Sequence, residues 1–149
     1  MTTPATPGRA LFVNMPVADV ERSKAFFTKL GFSFNPNFTD AAAACMLVND
    51  QTSIMLLSHE RFADFSKLPM ADPKTHALAL FCFSVGSREE VDSVSETALA
   101  AGAVEADPLE DHGFMVSRSF FDLDGHGWQV MWMDPAVAEK GPEEFAASV

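Results

Sequence analysis

The chain has 149 residues, enough for one domain or for two small modules sharing a core. Its 21 Asp and Glu against 10 Lys and Arg give a formal net charge of −11. That balance repels phosphate backbones and anionic lipid, so neither nucleic acid nor a membrane is an expected partner. Apolar residues make up 48% of the chain and 14 of them are Phe, which is ample core material, while the absence of Tyr removes the phenolic acid/base. Cys45 and Cys82 both sit inside apolar runs and read as small apolar-type residues rather than a disulfide framework. The opening Met-Thr-Thr-Pro-Ala-Thr-Pro-Gly reads as a flexible start over residues 1–9 and not as a leader, and the apolar run Ala77 to Phe83 is far too short to span a bilayer. The expectation is a cytoplasmic protein.

In chain order, Ala10 to Val17 reads as a strand, with Pro16 marking an edge or bulge position. Asp19 is placed to cap a helix running to about Leu30, with Glu21 near its positive end, Phe26, Phe27 and Leu30 as its apolar stripe, and Gly31 as the stop. Phe32 to Thr39 looks like a strand broken by Asn35-Pro36-Asn37. Ala43 to Val48 and Thr52 to Ser58 are further strands about the turn Asn49-Asp50-Gln51. Glu60 to Leu68, with Phe62 and Phe65 at helical spacing, is a short helix or a lid.

After a linker at 69–75 the order starts again. His76 to Val85 is strand-like, and Ser87 with Glu90 forms a capping box. Val91, Val94 and Ala98 then ride one helix face up to Gly102. Val104 opens a short strand, Pro108 interrupts, and Phe114 to Phe121 leads through the hairpin signal Asp124-Gly125 into a returning strand. On that strand Trp128, Val130 and Trp132 alternate with Gln129, Met131 and Met133. Val17 and Val85 lie 68 residues apart, and the helix-ending Gly31 and Gly102 lie 71 apart. This is a duplicated βαβββ unit, residues 10–68 and 76–134, followed by a tail or short terminal helix at 135–149.

Two stretches carry a resemblance. Phe12-Val-Asn-Met-Pro-Val-Ala-Asp-Val-Glu-Arg-Ser-Lys-Ala-Phe-Phe-Thr-Lys-Leu-Gly-Phe32 and Asp111-His-Gly-Phe-Met with Phe121-Asp-Leu-Asp-Gly-His-Gly-Trp-Gln-Val-Met-Trp-Met-Asp134 resemble the vicinal oxygen chelate superfamily. That superfamily includes glyoxalases, bleomycin-resistance proteins and extradiol dioxygenases. The resemblance covers residues 10 to 134 and implies an α+β fold, with paired βαβββ modules forming a curved mixed/antiparallel sheet cup that holds the ligand. It also implies a homodimer or a pairing of modules within one chain. In metal-dependent members the ligands come from the first and last strands of each module, and those positions fall here on Phe12, Leu56, Leu80 and Gln129.

A divalent metal needs three or four His, carboxylate or amide ligands. Phe and Leu offer no lone pair, and Gln129 stands where members with a full metal site have Glu. A one-residue register slip brings in Met55 or Leu57 and Ala79 or Phe81, which does not supply the missing donors. No metal or other cofactor is therefore expected. Phe12, Asn14, Leu56, Leu80, Cys82, Gln129 and Met131 are expected to line the cup, an apolar wall with a few amides suited to a small apolar or aromatic molecule. Among the histidines, His76 opens a strand at the cup rim or on the surface, His126 belongs to the hairpin turn, and His59 starts the lid-like segment. His112 is the candidate general base, on a loop before a cup strand, with a plain turn residue as the other reading. The leading expectation is a metal-free small-molecule binder. The alternative is a lyase, isomerase or dioxygenase-type enzyme working through a metal or through His112.

Overall fold

The computed structural model describes residues 8–141. The expected flexible start, up to residue 7, and residues 142–149 of the tail lie outside the described residues. The chain divides into two compact units, the first made of residues 8–78 with 123–125, the second of residues 79–122 and 126–141.

In the first unit the elements run β1 (Leu11–Val17), α1 (Val20–Lys29), β2 (Ser33–Phe34), a 3-10 turn (Pro36–Phe38), β3 (Ala43–Asn49), β4 (Thr52–Ser58) and α2 (His59–Phe65). Helix α1 begins where Asp19, in extended conformation, accepts from the Arg22 N–H at 3.0 Å. It ends at Leu30, where Gly31 takes φ +100°, a conformation that costs glycine little. The break anticipated within 32–39 is real: Asn35 caps the 3-10 turn through the Asn37 N–H, and the strand is reduced to two residues. The sheet order is β1-β4-β3-β2, with β1 parallel to β4 and the remaining pairs antiparallel.

Register fixes the faces of this sheet. Met15 pairs with Leu56 and Val17 with Ser58, while Ala44 lies opposite Leu56 and Met46 opposite Ile54. These apolar side chains share one face and all are buried, together with Phe26 and Phe27 of α1, whose rings meet edge to face at 4.9 Å. Full burial of each such side chain stabilises by about 1.5–3 kcal/mol, which is why the β1–α1 unit holds its shape. The opposite face carries Phe12, Asn14, Ser53, Met55, Leu57, Ala43 and Cys45. It is buried at Leu57, Ala43 and Cys45 but open at Phe12, which is 56% exposed.

The second unit repeats the plan with β5 (Leu80–Ser84), α3 (Arg88–Ala100), β6 (Val104–Glu105), β7 (Glu110–Asp111), β8 (Met115–Phe121), β9 (Gly127–Met133) and α4 (Pro135–Lys140). Its order β5-β9-β8-β6, with β5 parallel to β9, reproduces β1-β4-β3-β2, and β7 adds a further short partner to β8. Ser87 caps α3 by accepting from the Glu90 N–H at 3.2 Å. Val91, Ser95 and Ala98 form its buried stripe, and α3 packs on β8 and β9. Trp128 fills that interface, 5.1 Å from the ring of Phe81 and 6.1 Å from that of Phe83. Arg118, on the same sheet face, is held by Asp92 and Glu96 of α3 and by Glu105 of β6 at 3.1, 2.9 and 3.3 Å. It is a structural cation.

Two expectations need correction. The strand expected from His76 begins only at Leu80, and His76 lies in the turn before it, its ring Nδ1 2.8 Å from the Thr75 hydroxyl. Asp124-Gly125 is not a two-residue turn: the strands stop at Phe121 and resume at Gly127. Asp122 closes this loop by accepting from the His126 N–H at 3.0 Å and from the Trp128 indole N–H at 2.8 Å, so a carboxylate does the work assigned to the dipeptide.

Candidate functional site

Strand register distributes the expected lining residues unequally. In the second unit Leu80, Cys82 and Ser84 pair across to Gly127, Gln129 and Met131, which pair on to Phe121, Ser119 and Ser117. Leu80, Cys82, Gln129 and Met131 therefore share one face, as the pleat requires, opposite the one covered by α3. Leu80 remains 79% exposed, Cys82 is exposed, and Gln129 and Met131 are half-buried. Burial by its neighbours pushes the Cys82 thiol above its ordinary range, which favours an unreactive neutral wall group.

In the first unit Phe12 and Asn14 share a face, and the expected third member does not join them. Leu56 is fully buried on the opposite face beside Met15, and Met55 occupies the place next to Asn14. The cause is one residue of register, which inverts a side chain across the sheet. The positions that the resemblance assigns to a divalent metal are thus Phe12 and Met55 (in place of Leu56) in the first unit, and Leu80 and Gln129 in the second. One amide and one thioether do not make a hard-cation site. Among the described residues no group of three or more His, Cys, Asp or Glu could hold a metal ion. These residues do not fit the group.

His112 follows β7, whose Glu110 pairs with Ser117 on the Gln129 face. It lies in the loop joining β7 to β8, where its N–H donates to the Met115 carbonyl at 2.8 Å. Its imidazole is half exposed, 3.6 Å from the Glu110 carboxylate, and stacks on Phe114. The neighbouring Asp111 carboxyl is held below the usual carboxylate range by the Gly113 N–H, with the Arg88 guanidinium adding to it, against desolvation. Arg88 also lies over the Trp132 ring at 5.5 Å. This knot ties the loop to the start of α3 and leaves His112 on its outside.

One concavity was not anticipated. A cleft of about 410 Å³ lies within the first unit, at the start of α1. Arg22, His59, Asp72, Lys74 and Asp124 supply its polar lining, and Met70, Pro73 and Leu123 its apolar lining. Asp124, 7% exposed, accepts from the Ala18 N–H at 2.8 Å, from the Ser23 hydroxyl at 3.3 Å and from Arg22 at 3.4 Å. The sequence signal existed in the carboxylate of the Asp-Gly pair, but local reasoning spent it on turn formation. Its partners are about a hundred residues away along the chain, beyond the reach of periodicity.

Residues 9–49 match the family model described as bleomycin resistance protein-like N-terminal. No curated protein matches the chain in sequence. Among solved structures, a glyoxalase/bleomycin resistance protein/dioxygenase family enzyme from Burkholderia phytofirmans superposes with TM-score 0.68 at 19% identity, covering 82% of this chain and 96% of that one. A glyoxalase-related enzyme from Fulvimarina pelagi gives 0.72 at 16%, covering 84% and 88%. A fosfomycin resistance protein from Listeria monocytogenes gives 0.59 at 18%, covering 89% and 94%. At such identities the structural likeness is one of fold. The chain thus has the fold of the glyoxalase/bleomycin resistance protein/dioxygenase structures, and residues 9–49 are similar in sequence to the bleomycin resistance protein-like N-terminal family.

Proposed function

We propose that the chain is a metal-free binder of a small apolar or aromatic molecule, acting as a homodimer. The ligand rests on the open face of the second unit's sheet. One observation carries the reading: along β5 and β9 this face is largely apolar and partly exposed, and its polar groups there, Ser84 and Gln129, are uncharged. Leu80, Cys82, Met131 and Phe121 offer hydrocarbon and sulfur surface, and the Gln129 amide stands between Cys82 and Ser119 in the register. Apolar surface left open on a folded domain marks a place for a partner. A single amide among methionines orients an uncharged guest without demanding a charge on it. The hydroxyls of Ser117 and Ser119 flank that amide on the neighbouring strand. A sequestering role accords with the bleomycin resistance proteins to which residues 9–49 are similar.

Native mass spectrometry of protein purified without chelator tests metal content, retained ligand and subunit count in one spectrum. The expected spectrum is a metal-free dimer that takes up uncharged aromatic probes such as 1-naphthol, with uptake lost in Leu80→Asp. Stoichiometric uptake of Ni, Zn, Mn or Fe by dialysed protein, or uptake of the probe unchanged in Leu80→Asp, refutes the reading.

A further inference from the structure

We infer that the cleft at the start of α1 is a second binding site, separate from the sheet face, and that it takes a small zwitterion of amino-acid type. The argument begins with which charges in the lining are already used. The Asp124 carboxylate has both oxygens engaged, by Ala18 and Arg22 on one and by Ser23 on the other, so it belongs to the wall. Arg22 gives Asp124 a single contact at 3.4 Å, its side chain is 45% exposed, and the rest of its guanidinium fork is available to a guest. The Lys74 ammonium makes no hydrogen bond or ion pair among the described residues, nor does the His59 imidazole. Only the backbone N–H of Lys74 is engaged, donating to the Asp72 Oδ1 at 2.9 Å. The second oxygen of Asp72 has no partner either.

What remains is two cationic donors, one imidazole and one carboxylate around an apolar wall of Met70, Pro73 and Leu123. A purely anionic guest would meet Asp72 and the field of a chain carrying −11. A purely cationic one would meet Arg22 and Lys74. A molecule bearing both signs satisfies the lining: its carboxylate to the Arg22 fork and Lys74, its ammonium to Asp72, its side chain against Met70 and Leu123. The volume, about 410 Å³, suits such a molecule. The wall is closely packed at this point, because Gly125, at φ +97°, lets the Lys74 backbone approach to within 3.1 Å of where a Cβ would stand.

Isothermal titration with L-phenylalanine, 2-phenylethylamine and 3-phenylpropionate tests the assignment on the whole chain. L-phenylalanine is expected to bind, and each single-charge analogue to bind about tenfold or more weakly, the loss of one charge-assisted contact. Lys74→Gln and Asp72→Asn should weaken L-phenylalanine similarly. Both sites are exposed and Asn keeps an acceptor for the turn, so folding is retained, whereas Arg22→Gln disturbs the Asp124 network as well. Leu80→Asp should leave this binding unchanged, which separates it from the sheet-face reading. Equal affinity for 3-phenylpropionate or for 2-phenylethylamine, indifference to Lys74→Gln and Asp72→Asn, or no binding of L-phenylalanine overturns the inference.

Discussion

Asp124→Ala removes one buried carboxylate and should be the most damaging single truncation at the start of α1. The Ala18 N–H, at 2.8 Å from a charged acceptor, accounts for about 2 kcal/mol. The longer Ser23 hydroxyl contact at 3.3 Å adds about 1 kcal/mol. Arg22 adds no more than about 0.5 kcal/mol, since its side chain is 45% exposed and the 3.4 Å pair is screened by solvent. The expected loss is about 3 kcal/mol, a fall in Tm of about 6–12 °C for a chain of this size. Urea denaturation measures the whole effect, and amide exchange at Ala18 locates it. Asp124→Asn, which keeps an oxygen for Ala18, should lose less than half as much. The exposed Glu21, 3.3 Å from Lys24 within one turn, serves as control, with Glu21→Ala costing under about 0.5 kcal/mol. A loss below about 1 kcal/mol in Asp124→Ala, with exchange at Ala18 unchanged, would show that this carboxylate does not anchor the helix start.

Gly125→Ala should destabilise by about 2–3 kcal/mol in the same denaturation experiment, because it combines a positive φ with a Cβ 3.1 Å from the Lys74 backbone. For Asp111 the carboxyl range is depressed in the folded chain, so its contribution is present above the ordinary aspartate range and lost as pH falls through the folded value. NMR titration should find its midpoint below that of a free aspartate, and Asp111→Asn should flatten the acid limb of stability. The Cys82 thiol, pushed up by burial, should react with iodoacetamide at neutral pH more slowly than free cysteine and reach the free rate only on unfolding. Gln129→Glu supplies a carboxylate at this position, yet it should bring no stoichiometric zinc or nickel in native mass spectra, since Phe12, Met55 and Leu80 still supply no hard donor.

Element order and helix caps were legible because they are written locally. Asp19 and Ser87 cap where their spacing says they should, Gly31 takes the conformation only glycine adopts cheaply, and β9 keeps the alternation of its sequence. The duplication was legible for the same reason, as two weak copies of one order. The limits fell where a partner decides. The strand from His76 shortened to Leu80–Ser84 because only those residues have β9 to pair with. The pair Glu110–Asp111 became a strand by pairing with Ser117 and Val116, with no β propensity of its own to announce it.

The candidate site divides along the same line. Where a strand's face is set by large alternating residues, as in β9 with Trp128 and Val130 against Gln129 and Met131, the sequence assigns the two faces correctly. In β4 the run Ile54-Met-Leu-Leu57 is apolar on both faces, so alternation carries no phase. There the parallel pairing with β1 chose Met55 over Leu56 for the Asn14 face, information held in another strand. The conclusion drawn about metal survives that inversion, because neither residue brings an oxygen or nitrogen. It depends on chemistry common to both registers, whereas the lining of any pocket depends on the register itself. The cleft with Asp124 shows the converse: its residues come from four separated segments, and only the folded chain brings Arg22, His59, Lys74 and Asp124 around one space. The donor chemistry of a position can thus be weighed from sequence with a register error in hand, while a constellation assembled from distant segments waits for the fold.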